Sequence, residues 1–202
     1  MANVIPTKGN LLSRERALAL AGLGFELMDR KRNILIREMM NRIESASVLQ
    51  EQIDTTFREA YASLQNANIT LGSCGEIAGN VPVDESVQIR HRSVMGVELP
   101  IIRASEEPPG LHYGLAFTNA ALDDALLRFD AVKRLTRELA EMESTIYRLA
   151  YAAKKAQKRA NALQNIIIPG FIRDIKYITD ALEEKDREEY ARLKVIKETK
   201  RA

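Results

Sequence analysis

Much is scarce in this 202-residue chain, and each scarcity closes off a class of protein. It has one cysteine, Cys74, so no internal disulfide can form, and a reducing compartment is the fitting one. It has no tryptophan and only 5% aromatic residues, too little bulk for a large globular core. No apolar run approaches the roughly 20 residues that a membrane-spanning helix needs. The opening residues lack the basic start and apolar centre of a signal peptide, so a soluble, cytoplasmic protein is expected. A net charge of +2 is too small to imply nucleic acid by itself. What is plentiful is charge, at 29% of residues, set among Ala, Leu, Glu, Lys and Arg. That mixture suits long helices joined by a thin seam.

The seam is plainest between Val132 and Ile167. Apolar residues recur at steps of three and four: Val132, Leu135, Leu139, Met142, Ile146, Leu149, Ala153, Ala156, Ala160, Leu163 and Ile167. No Pro or Gly interrupts them. An average spacing of 3.5 keeps one narrow stripe turned toward a partner helix, the mark of a coiled coil. Such a helix needs a partner along its length, and the first third of the chain offers one. From Thr7, a candidate N-cap after Pro6, to about Asn68 there is no proline. Ile36, Ile43, Phe57 and Leu64 hold one heptad position, with Gln50 interrupting. Met39, Ala46, Ile53, Ala60 and Ala67 hold the other, and Leu20, Leu23, Leu27 and Ile34 carry a stripe in shifted phase. Sixty residues of helix would measure about 90 Å.

Glycines 72, 75 and 79 and Pro82 punctuate the stretch from about Thr70, and Pro108-Pro109-Gly110 close it. Within it, Ser86–Val94 and Val97–Ile102 read as a β-hairpin turning near Ser93–Gly96, with Pro100 making the second strand an edge. Helix resumes by about Thr118 and runs on, kinked at Pro169. The expected fold is all-α, a long antiparallel two-helix coiled coil with a small β-hairpin insert between the helices. Its parts are residues 7–69, 70–112 and 113–202 of one elongated domain. A turn near residue 91 would pair residues whose numbers sum to about 182, setting Gly22 against Ala160 and Gly24 near Ala156. Beyond Leu182 a polar helix with i,i+4 ion pairs (Glu183 with Arg187, Lys185 with Glu189, Glu188 with Arg192) would overhang the first helix.

No motif carries catalysis, a cofactor or a metal. The glycine stretch lacks the lysine of a phosphate-binding loop. His91 and His112 stand far apart with no ligand-spaced neighbour, and Asp123-Asp124 reads as a solvated helix face. From Ser144 to Ile172, however, there is no acidic residue, while Arg148, Lys154, Lys155, Lys158 and Arg159 cluster. Arg30, Lys31 and Arg32 would lie across from them. These groups form either a solvated face or a contact for an acidic partner. Nucleic acid fits less well, since aromatics are not interleaved with the charges. The residues alone leave open a scaffold or tether coiled coil, and a basic rod on nucleic acid or anionic membrane.

At this point the chain resembles the central-stalk D subunit of V-type and A-type rotary ATPases. The resemblance rests on Pro6-Thr7-Lys8, Asn10-Leu11-Leu12 and Lys31-Arg32 at one end. At the other stand Lys158-Arg159-Ala160-Asn161-Ala162-Leu163, Ile168-Pro169, Leu182-Glu183-Glu184, Arg187-Glu188-Glu189, Arg192-Leu193-Lys194 and Ile196-Lys197. Ala160 and Gln164 depart from the family's usual Val and Glu. The resemblance implies a non-catalytic rotor axle, without cofactor, that couples ATP hydrolysis or synthesis to ion translocation. The partners it implies are the A and B subunits of the nucleotide-binding head, the F subunit of the central stalk and the funnel-shaped subunit above the membrane ring. It implies no nucleic acid, and contact with the membrane only through the complex. The gamma subunit of F-type ATP synthase normally carries a sizeable α/β insert, which about 40 residues cannot build.

Overall fold

A computed structural model describes residues 5–105, 110, 112–114 and 118–200. Pro108 and Pro109, read as closing the insert, lie outside the described residues, as do parts of the expected 70–112 and 113–202 segments. Helix α1 spans Lys8–Leu71 and α2 is a single turn at Gly75–Ala78. Strands β1 (Gln88–Val94) and β2 (Val97–Arg103) follow. Helix α3 covers Ala120–Ala162, a π-helical turn occupies Leu163–Ile167, and α4 runs Ile168–Thr199. The chain forms long helices with a small antiparallel hairpin between them, the fold class expected. It divides into two compact units, Ile34–Ala152 and the residues on either side of it.

In the Ile34–Ala152 unit, α1 and α3 run antiparallel. Arg128 meets Glu59 at 2.9 Å, Ser63 Oγ donates to Asp124 Oδ2 at 2.9 Å, and Asn119 Nδ2 donates to Thr70 Oγ1 at 2.6 Å. The numbers in each pair sum to 187–189, so the expected register of about 182 is off by about one and a half to two helical turns. Asp123 and Asp124 are also more than a solvated face. Asp123 accepts from Tyr113 Oη at 2.7 Å, and burial followed by that bond pushes the phenol up to about 12. Hydrogen bonds from Ser63 and then Arg128 lower the Asp124 pKa.

The seam itself differs from the expected one by one row. Met39, Ala46, Ile53, Ala60 and Ala67 line the contact, all buried or half-buried. The companion row, however, is Leu35, Arg42, Leu49, Thr56 and Ser63, one residue before Ile36, Ile43, Phe57 and Leu64. Leu35 is 0% exposed against 39% for Ile36, and Ile43 is exposed as well, while Phe57 and Leu64 are half-buried. The reason is chemical. The inner row holds polar side chains that satisfy themselves: Arg42 bonds Glu38 at 3.3 Å and Ser63 bonds Asp124. An apolar count cannot see such positions. On α3, Val132 and Leu149 are buried, while Leu135, Leu139, Met142 and Ile146 are half-buried beside buried Thr145. Cys74 is buried and packs in a small cluster with Ala67 and Leu122.

In the other unit, Thr7 caps α1 by accepting from the Asn10 amide at 3.2 Å, as its position suggested. Here too the helices are antiparallel, with Arg14 on Asp174 at 3.6 Å and Arg32 donating to Gln157 Oε1 at 3.1 Å. Small residues line the contact: Ala21, Ala153, Ala156 and Ala160 are buried. A Cβ on Gly24 would sit 3.7 Å from Leu163 Cδ1, so Gly24 faces Leu163 and not Ala156, while Gly22 meets nothing within 4 Å. Leu163 is half-buried, yet Ile167 is exposed. Pro169 lacks the amide that would bond residue 165, and the chain absorbs this as a π turn just before it. The turn inserts one residue, so the stripe steps from Leu163 to Ile168 and resumes through Ile175, Ile178 and Leu182. Beyond Leu182 every described residue is exposed, Ile196 included, and the Glu183–Arg187 and Glu188–Arg192 pairs form at 3.4 and 3.5 Å.

Candidate partner interface

Of the eight basic residues singled out by the sequence, seven fall within one of the two units, the one formed by the residues flanking Ile34–Ala152, and Arg148 falls in the other. On the C-terminal side, Ala153, Ala156 and Ala160 turn inward, while Lys154, Lys155, Lys158 and Arg159 are exposed. At 100° per residue the four cations share an arc of about 140° on the other side of the helix. Among the described residues none of the four has an ion-pair partner. The absence of acids from Ser144 to Ile172 is the cause, because no carboxylate stands three or four residues away to neutralise them.

The trio on α1 is arranged differently. Arg30 is exposed and pairs loosely with Glu26 at 3.8 Å. Lys31 is half-buried. Arg32 is spoken for: it meets Asp29 at 2.7 Å, donates to Asn33 Oδ1 at 3.0 Å and reaches Gln157, which lies between Lys155 and Lys158 in sequence. Arg32 thus fixes the helix pair beneath the cationic arc. Arg148 likewise leaves the cluster, since its guanidinium donates to the Glu98 carbonyl at 2.9 Å.

The sequence reading missed an apolar surface. Leu20, Leu23 and Leu27, assigned to a shifted seam, are all exposed, Leu27 by 62%. Their 3,4 spacing is a true stripe, but α4 does not cover it; Ala21 takes the buried position instead. An exposed apolar stripe and an unpaired cationic arc in the same unit are each the composition of a protein-binding surface. Among the described residues no three His, Cys, Asp or Glu side chains gather as metal ligands. None of the described helices is long and apolar enough to cross a membrane.

The hairpin is tied down on the α3 side. The Ile102 amide donates to Glu141 Oε2 at 2.7 Å, Leu99 is buried, and Arg148 holds Glu98. At its base Asp84 takes Lys133 at 2.7 Å and lies 3.8 Å from Arg137 Nη1, while the Ser86 amide donates to its other oxygen at 2.9 Å. The Lys133 bond, then those from Ser86, hold the Asp84 carboxyl well below the usual carboxylate range.

A family model for the D subunit of ATP synthase matches residues 10–198. The chain belongs to that family. The V-type ATP synthase D subunit of Thermotoga neapolitana is 46% identical over 198 residues, which is 97% of this chain and 98% of the relative. The A-type ATP synthase D subunit of Methanopyrus kandleri is 35% identical over 202 residues, covering 98% and 87%. The corresponding A-type protein of Pyrococcus furiosus is 35% identical over 199 residues, covering 96% and 93%. The resemblance at the two ends of the sequence therefore extends over nearly all of it, and the chain is a component of a V/A-type ATPase.

Proposed function

We propose that this protein is the central rotor axle of its ATPase, a non-catalytic shaft that couples nucleotide turnover in the head to ion translocation at the membrane ring. The observation that carries the reading is the pairing of two antiparallel helices in each unit, with Leu, Ala and polar cross-links repeated over many turns. A shaft has to transmit torque, and a seam maintained over many turns resists bending and unwinding. It must also present unequal contacts to surrounding sites, so that each orientation biases them differently. The apolar stripe at Leu20, Leu23 and Leu27, the cationic arc and the exposed end of α4 supply such unequal contacts for the A and B subunits of the nucleotide-binding head. The hairpin side then faces the F subunit of the central stalk and the funnel-shaped subunit. In this reading the protein is peripheral, meeting the membrane only through the complex.

Reversible locking tests the role. A cysteine at exposed Tyr190 on α4, cross-linked to one introduced in a head subunit, should abolish ATP hydrolysis by the assembled complex, and reduction should restore it. Full turnover in the cross-linked complex would mean that the protein is a static tether.

A further inference from the structure

The hairpin has two edges, and among the described residues the structure covers part of one of them and none of the other. Val94 pairs with Val97 across a two-residue turn, Met95-Gly96, in which both residues have positive φ (52° and 73°). In such a hairpin the pair flanking the turn exchanges both ladder bonds, and the alternation fixes the rest. Residues 88, 90, 92 and 94 bond across to β2. Ile89, His91 and Ser93 turn their amides and carbonyls outward, as do Glu98, Pro100 and Ile102 on β2. On β2 part of that outward row is taken. Pro100 has no amide to offer, Glu141 caps the Ile102 amide, and Arg148 caps the Glu98 carbonyl. On β1, among the described residues, nothing meets the outward groups of Ile89, His91 or Ser93.

We infer that the outer edge of β1 is a docking site for an extended acidic segment of a protein partner, which adds as a third strand. Backbone pairing to Ile89, His91 and Ser93 would supply affinity, as in other cases of strand addition. The chemistry of the occupant follows from the side chains. β1 reads Gln-Ile-Arg-His-Arg-Ser-Val, with Arg90, His91 and Arg92 exposed and no acid among them. A neighbouring strand sets its side chains beside these, where opposite charges stabilise and like charges do the reverse. The same rule disfavours a second copy of the hairpin, which would place Arg90 and Arg92 against their own kind. Ile89, 63% exposed, lines with Pro100 and Ile102 a cleft of about 560 Å³ whose other wall is Glu143, Ser144, Tyr147 and Arg148 of α3. An apolar side chain alternating with the acidic ones has a place there. This inference is independent of the rotor role.

Two eight-residue peptides test it on the full chain, one alternating Val with Glu and one alternating Val with Lys. The Glu peptide should bind and should protect the amides of Ile89, His91 and Ser93 from hydrogen exchange. The Lys peptide should bind at least about tenfold more weakly. His91→Pro removes one outward amide from a position whose cross-strand partner is already proline. It should therefore leave the hairpin folded, by its remaining cross-strand amide protection, and weaken the Glu peptide about tenfold or more. His91→Ala should bind as the parent does. Equal binding of both peptides, no binding at about 1 mM, or full binding by a folded His91→Pro chain would each overturn the inference. An oligothymidine that bound more tightly than the Glu peptide and ignored His91→Pro would reassign the strand to nucleic acid.

Discussion

The Ile102 amide and the Glu141 carboxylate, 39 residues apart in the chain, meet at 2.7 Å and fasten β2 to α3. With Arg148 on the Glu98 carbonyl, this makes the insert an attached part of the Ile34–Ala152 unit rather than a loop hung on it. Glu141→Ala should therefore speed hydrogen exchange at Ile102 while leaving helix content by circular dichroism unchanged. Arg148→Ala should cost about 0.5–1.5 kcal/mol, more than an ordinary surface change. Slow exchange at Ile102 in the Glu141→Ala chain would show that the bond is not what holds the strand.

The seam predicts a contrast between neighbours. Leu35→Ala should destabilise the chain by roughly 2–5 kcal/mol, because Leu35 is fully buried. Ile36→Ala should cost well under half of that, since its side chain already meets water. Thermal or denaturant unfolding measures both, and equal effects would restore the apolar row that the sequence favoured.

Which parts were legible follows from the physics of each row. The helices, the hairpin and its turn announced themselves through period and glycine placement, and the row from Met39 to Ala67 is apolar throughout. The inner row was hidden because Arg42, Thr56 and Ser63 are polar residues that find partners inside the contact. The register of the helix pair was set by polar cross-links such as Ser63–Asp124, which no spacing rule reveals. Ile167 failed as a seam residue because the π turn before Pro169 adds one residue to the count. The cationic arc was readable from the missing acids, whereas the exposure of Leu20, Leu23 and Leu27 depends on how the partner helix lies.

Acid should loosen the base of the hairpin. Asp84 has an ordinary value of 3.8, and its folded value lies well below that. A lowered carboxylate contributes stability above its unfolded pKa and loses it as pH falls through the folded one. The gap in stability between the parent and Asp84→Asn should thus be constant above about pH 5 and shrink as pH drops below about 4. Denaturant titrations of the two chains across that range measure it. A gap that widened toward acid would contradict the Lys133 contact as its source.

The cationic arc should act as a group. Exposed pairs are worth about 0.2–1 kcal/mol each, weak enough to exchange as contacts change. Single Lys154→Ala or Lys158→Ala changes should do little to the assembled ATPase. Changing Lys154, Lys155, Lys158 and Arg159 together to Glu should impair assembly or coupling without unfolding the isolated chain. Coupling that stayed normal and indifferent to salt would return the arc to a solvated face.

The rotor reading stands or falls on motion. With the head of the assembled complex fixed to a surface and a bead attached through Met95→Cys at the hairpin turn, ATP should drive stepwise rotation in one direction. A bead that stays still while the same complexes hydrolyse ATP would contradict the account.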